Sequence, residues 1–153
     1  MTENDRKIAT MMSFCPHEYL LPFCIKHLPK VEDNTVYSKL VATAWKAGGD
    51  SKMQKYWELF FNSPRMIAKH AMTSGERRAL KKLPQTILVY RALYGNEQDT
   101  AMSWTTNRAF AEKYANSLNR NIETKCISKN DIFAYFTRRN ESEVILKVWE
   151  KNK

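Results

Sequence analysis

Three short segments carry side chains that do not suit a plain interior. Arg91 sits inside residues 86–93 (TILVYRAL), an otherwise apolar stretch where an unpaired charge is unfavourable. A guanidinium offers a fork of N–H donors that matches phosphate, so Arg91 is a candidate anion clamp. The simpler alternative is a strand-end arginine paired with a carboxylate. Ser103-Trp104-Thr105 stands just before a helical pattern, where hydroxyls either cap the helix or hydrogen-bond a ligand lying at a strand end. Glu141-Ser142-Glu143 leads into Val144-Ile145-Leu146, and strand alternation sends both carboxylates to one face. Two like charges on one face ask for a cation or a polar ligand nearby. Sugar-transfer chemistry uses carboxylates in this way, because its transition state resembles an oxocarbenium ion. The simpler alternative here is a solvated edge strand facing Arg138 and Arg139.

Other residue types with chemical potential are weaker signals. Cys15, His17, Cys24 and His27 are metal-ligand types, and a structural zinc site is conceivable. Their spacing, broken by Pro16 and Pro22, matches no common zinc finger, and the expectation is no metal. Cys126 falls in a strand-like segment and reads as core. Arg77, Arg78, Lys81 and Lys82 line a basic helix that suits phosphates, and Tyr56, Trp57 and Phe60 suit stacking on bases. Helical spacing makes those three aromatics better candidates for a core. A basic nucleic-acid-binding module is therefore the non-enzymatic alternative, alongside an inactive module that only binds another protein.

The elements that must position these residues follow from pattern. The stretch 13–28 (SFCPHEYLLPFCIKHL) is apolar but interrupted by Pro16 and Pro22, which predicts short helical turns over one long helix. Val36, Leu40, Val41, Ala44 and Trp45 share a helical face that ends at Gly48-Gly49. Met53, Trp57, Phe60 and Phe61 mark a second helix that stops before Pro64. Residues 65–71 fit no clear pattern. Thr73 and Glu76 have capping-box spacing and open a helix over residues 76–83, closed by Pro84. Residues 86–93 then read as a buried strand. Thr105, Thr106 or Asn107 caps a helix over residues 108–118, with Phe110, Ala111, Tyr114 and Leu118 as its apolar face. Residues 123–127 read as a strand, Asp131 as the cap of a short turn over residues 132–136, and residues 144–149 as a final strand.

Composition bounds the class. The chain has 153 residues, 43% of them apolar, and only 4 glycines and 5 prolines, which excludes disordered and low-complexity designs. No apolar run reaches the ~20 residues of a membrane-spanning helix. The N-terminal MTENDRKIAT is too polar and acidic for a secretory signal, and 3 cysteines are an odd number. Both predict a reducing, cytoplasmic setting with free thiols. Lys and Arg number 25 against 16 Asp and Glu, a net charge of +9 that favours anionic partners. No Lys/Arg run exceeds two, so the excess is spread rather than held in a tail.

Taken in order, the three segments resemble the mono-ADP-ribosyltransferases of the Arg-Ser-Glu class. The matching pieces are Val89-Tyr90-Arg91, then Ser103-Trp104-Thr105 followed by Ala111-Glu112-Lys113-Tyr114-Ala115, then Glu141-Ser142-Glu143-Val144-Ile145-Leu146. The closer likeness is to small phage-encoded members with a Tyr-Arg-Gly element and a Ser-Trp-Thr segment. Here Ala92 stands in place of that glycine and Trp104 in place of the family's middle threonine. The short stretch between Arg91 and Glu143 leaves little room for a long substrate-recognition loop.

The pattern predicts a helical N-terminal region, residues 1–85, and the resemblance, which covers about residues 86–150, implies a compact split β-sheet core of the ADP-ribosyltransferase type over residues 86–153, an α+β fold in all. The resemblance also implies NAD as co-substrate, cleavage of the nicotinamide–ribose bond, and transfer of ADP-ribose to a protein acceptor. By the same likeness Glu143 stabilises the ribosyl cation, and Glu141 orients or deprotonates the acceptor, favouring an arginine. Arg91 holds the diphosphate or the adjacent ribose. Ser103 orients Glu143 and lines the nicotinamide pocket together with Thr105, while Tyr90 or Trp104 supplies an aromatic wall. If the strand is regular, Tyr90 points away from Arg91. A phage protein of this type implies a host protein acceptor in the host cytoplasm, in transcription, translation or defence, including nucleic-acid-associated complexes, and no membrane.

Overall fold

Helix signals dominate the first part of the chain, and the computed structural model, which describes residues 1–152, forms helices there. The chain divides after Met72 into two compact units. In the first, α1 (Glu3–Ser13) starts where the Thr2 hydroxyl accepts the Asp5 amide at 3.0 Å. Pro16 and Pro22 break the next stretch as expected. Pro16 precedes a single 3-10 turn, and Pro22 falls in the first turn of α2 (Leu20–His27), where its missing N–H is not needed. α3 (Asn34–Gly48) is capped by Asp33, whose Oδ1 accepts from Thr35 and Val36 at 2.7 and 3.1 Å. Gly49 follows it because a Cβ there would run into the Trp45 ring and carbonyl oxygen. α4 (Gln54–Phe61) and the single turn α5 (Ala68–Ala71) complete the unit. Its core is aromatic: Trp45 meets Trp57 edge-on at 5.4 Å and Phe61 at 6.0 Å. Trp57 and Phe60 are buried, so they do not offer rings to a base. Asp5 is fully buried and accepts the Glu32 and Asp33 amides at 2.8 and 3.0 Å, tying α1 to the entrance of α3.

The second unit begins with α6 (Ser74–Lys82), opened by the capping box read from Thr73 and Glu76. There follow β1 (Thr86–Ala92), β2 (Ser103–Thr105), α7 (Arg108–Ser117), β3 (Ile122–Ser128), β4 (Ile132–Phe136) and β5 (Glu143–Leu146). The fold class is α+β: a helical N-terminal region followed by one antiparallel five-stranded sheet in the order β3-β1-β2-β5-β4. Alternating residues of β1, Ile87 and Val89, are buried, as are Trp104, Val144 and Ile145 in the centre of the sheet and Phe136 on β4. α7 is capped by Asn107, whose side chain accepts the Phe110 amide at 3.1 Å, and it packs on β1 through Ala111 and Ala115.

Five local expectations are corrected. Cys126, read as core, is exposed on the edge strand β3. On α7 and its C-cap, Phe110, Tyr114 and Leu118, read as the apolar face, are exposed, because the small Ala111 and Ala115 are what the helix buries against the sheet. Residues 132–136 form a strand, not a turn. IFAYF is rich in β-preferring residues, and once β5 pairs with it in register their strand propensity outweighs the cap signal of Asp131. The final strand ends at Leu146, and Val148–Asn152 turns into a 3-10 helix instead of continuing the alternation. β5 is also no edge strand: it lies between β2 and β4. Among the described residues no helix is long and apolar enough to cross a membrane.

Candidate active site

The sheet order brings the three singled-out segments side by side. β1, β2 and β5 are consecutive strands, although they are separated along the chain by α7, β3 and β4. The register pairs Tyr90 with Thr105 and Thr105 with Glu143. Directly paired residues of an antiparallel sheet share a face, so Tyr90, Thr105 and Glu143 lie together, with Ser103 two residues along from Thr105.

Glu143 opens β5, and its Oε2 accepts a short hydrogen bond from the Ser103 hydroxyl across the strand pair. That bond fixes the carboxylate against β2 while the side chain keeps 13% of its surface exposed. Thr105 is buried. Its hydroxyl donates to the Glu141 carbonyl and accepts the Asn107 amide at 3.0 Å, so it organises backbone rather than presenting a free group.

Glu141 is not on the strand. The chain passes Ser142 with φ of 45°, a left-handed conformation, and β5 starts only at Glu143. The expected mechanism of alternation therefore fails, because the turn backbone intervenes. The two carboxylates nevertheless converge on one partner. Arg138 Nη1 stands 3.2 Å from Glu141 Oε2, and Nη2 stands 3.9 Å from Glu143 Oε1. This resolves the two like charges by an opposite charge between them. Arg138 Nε is buried without a hydrogen-bond partner among the described residues, an arrangement that costs about 1–3 kcal/mol unless the charge pairing offsets it.

Arg91 leaves β1 on the face opposite Tyr90, as strand alternation requires. It is joined to the group through backbone: Nη1 donates to the Ser103 carbonyl at 2.8 Å. Nε donates to Glu97 Oε1 at 2.8 Å, and the same oxygen accepts the Tyr94 amide at 2.6 Å. Nη2 makes no hydrogen bond among the described residues and is the donor left for an anion. Trp104 lies in the core at 2% exposure, its N–H donating to the Ala101 carbonyl at 2.8 Å and Lys125 over its ring at 5.3 Å. Tyr90 is half-buried, with the Arg108 guanidinium 5.9 Å from its ring centre.

Sequence reading missed three residues here. Sequence alone offers Arg138 only as a facing charge and Glu76 only as a helix cap, and it does not single out Glu97. Glu76 is buried, and while Oε1 completes the cap on Thr73, Oε2 accepts the Thr137 amide at 3.0 Å and so anchors the loop that carries Arg138. The capping-box signal named the residue but not its second partner. Outside these residues, a cavity of about 200 Å³ is lined by Lys125, Cys126, Asp131, Leu146, Lys147 and Glu150 among others, and Arg91, Ser103, Glu141 and Glu143 are not part of its lining. In the helical unit Cys24 is buried, Cys15 is partly exposed and Phe23 packs on His27 at 4.5 Å; no cluster of three or more metal-ligand residues occurs among the described residues.

Models of protein families, curated proteins and solved structures were all compared with this chain, and none matches it.

Proposed function

We propose that this protein is an NAD-dependent mono-ADP-ribosyltransferase whose sheet is a minimal form of that family's split core. The observation that carries the reading is the hydrogen bond from Ser103 to Glu143, which joins two of the three motif segments on neighbouring strands, with the third reaching the same serine through Arg91. Ser103 and Glu143 lie side by side on one face, and Arg91 reaches the Ser103 backbone carbonyl from the other face at the same strand position, so a dinucleotide held by all three would wrap the strand edge.

Nicotinamide leaves as a neutral group, so the site needs no strong general acid. It needs a fixed negative charge beside the ribose as cationic character develops. A carboxylate about 4 Å from a unit positive charge is worth about 4 kcal/mol at an effective dielectric near 20, or about three decades in rate. Glu143 supplies that charge, and Ser103 holds it in one rotamer so that little reorganisation is needed. Tyr90, on the same face, offers a ring to the nicotinamide. Arg91, oriented by Glu97, offers Nη2 to the diphosphate. Glu141 takes a proton from the acceptor, and a carboxylate in that position favours an arginine side chain on a protein. The +9 charge draws the enzyme to acidic assemblies, including nucleic-acid-associated complexes. The likeness to phage proteins makes the acceptor a host protein in the host cytoplasm, a step that rests on analogy.

Incubation with labelled NAD and bacterial lysate tests the reading. Label should appear on protein with the wild-type chain and vanish with Glu143→Gln. Wild-type labelling by that variant would overturn the assignment. Absence of nicotinamide release together with salt-sensitive binding of DNA or RNA would favour the basic binding module instead.

A further inference from the structure

The loop between β4 and β5 folds an arginine back onto both glutamates. Arg138 reaches Glu141 at 3.2 Å and Glu143 at 3.9 Å, and none of the three side chains is more than 26% exposed. The backbone that does this adopts conformations rare for its residues. Arg139 has φ of 53° and Ser142 φ of 45°, and neither is a glycine. Such conformations persist only where the surroundings over-determine them. Here they do. The Thr137 amide is held by Glu76, the Glu141 amide by the Arg138 carbonyl at 3.0 Å, the Glu141 carbonyl by the Thr105 hydroxyl, and the Ser142 carbonyl by the Thr106 amide at 3.0 Å. A loop pinned from several directions, with two left-handed residues between Arg138 and Glu143, keeps one guanidinium between two carboxylates.

That is the place the proposed function gives to an acceptor arginine. We infer that Arg138 is itself an ADP-ribose acceptor, modified by the same chain that carries it; the inference rests on the transferase reading and adds to it the identity of one acceptor. In the step, the bond between ribose C1′ and the nicotinamide nitrogen breaks, and its electron pair leaves with neutral nicotinamide. Nη1 of Arg138 forms the new bond to C1′ with its own electron pair. The proton it loses passes to Glu141 Oε2 and then to solvent. The products are ADP-ribosylated Arg138, nicotinamide and one proton. The modified side chain carries a diphosphate and can no longer sit between two carboxylates, so the loop must release it.

The test uses the purified full-length chain with labelled NAD and no other protein, following nicotinamide release and intact mass, then localising the label by peptide fragmentation. Expected are one ADP-ribose per chain on Arg138, a first-order rate constant independent of protein concentration, and release of the label by neutral hydroxylamine. Arg139→Lys, at the exposed neighbouring position, should keep the label, and Arg138→Lys should lose it. Nicotinamide release with label absent or on another residue overturns this inference and leaves the transferase reading standing. A rate constant that rises with protein concentration overturns modification by the same chain. No nicotinamide release from the folded protein overturns both. Localisation in the wild-type chain decides the matter even if Arg138→Lys fails to fold.

Discussion

Ser103 and Glu143 meet diagonally across the β2–β5 pair, and the serine hydroxyl donates to the carboxylate. Their registered partners are Ile145 and Thr105, so the contact depends on the strand register. A one-residue slip would send one of them to the other face. A chemical pairing is thus set by packing in the strands that carry it, with buried Val144, Ile145 and Trp104 fixing the register.

Glu143→Gln should abolish both ADP-ribose transfer and NAD hydrolysis while the fold survives, since the amide keeps the shape and loses the charge. Ser103→Ala should retain the charge but free its rotamer, lowering kcat by about 10²-fold. Circular dichroism and a nicotinamide-release assay together check both. Full activity in Glu143→Gln would remove the basis for the proposed role.

On the transferase reading Glu141 has a different task. Glu141→Gln should lose transfer to protein yet keep measurable NAD hydrolysis, because water can replace the acceptor but the acceptor lacks its base. The ratio of labelled protein to released nicotinamide is the readout. An unchanged ratio would assign Glu141 to the loop alone.

Glu97 accepts from Arg91 Nε, so on the transferase reading it positions the diphosphate-binding arginine without touching the ribose. Glu97→Gln should raise the KM for NAD by about one decade, or about 1.4 kcal/mol, with kcat little changed. A matching fall in kcat would instead place Glu97 in the chemical step.

Burial pushes the Cys24 thiol from 9.0 up to about 12, with Cys15 adding to the rise. It should resist iodoacetamide in the folded protein, whereas exposed Cys126 should react. The sign of the pH effect follows. Because the folded pKa is raised, the unfolded chain releases its proton first once pH passes 9.0, and stability is lost progressively up to about 12. Urea melts of the wild type between about pH 9 and about pH 11 should show this decline, and Cys24→Ala should flatten it.

Asp5→Ala should destabilise the helical unit by about 3 kcal/mol, because it leaves the Glu32 and Asp33 amides without their acceptor. A denaturant midpoint unchanged from wild type would show that water replaces the carboxylate.

Much of the architecture was legible before any coordinates. The periodicity of Val36 to Trp45, the Thr73–Glu76 box and the β-branched run at β1 are local signals, and each formed as read. β4 was not legible, since Asp131 and a short aromatic run fit a turn as well as a strand until β5 supplies a partner. Arg91, Ser103 and Glu143 could be singled out because their types clash with their surroundings. Their hydrogen-bond partners could not. Glu97 meets Arg91 through a loop geometry that spacing does not encode, and the left-handed turn at Ser142 depends on tertiary hydrogen bonds, because serine by itself does not favour it.

The buried carboxylate of Glu76 has a practical corollary. Composition invites a cut just before β1, but a fragment made that way would leave the Thr137 amide orphaned and unmoor the hairpin carrying Arg138 and Glu141. The shortest recombinant piece worth expressing for crystallisation or ligand screening therefore starts upstream of Thr73.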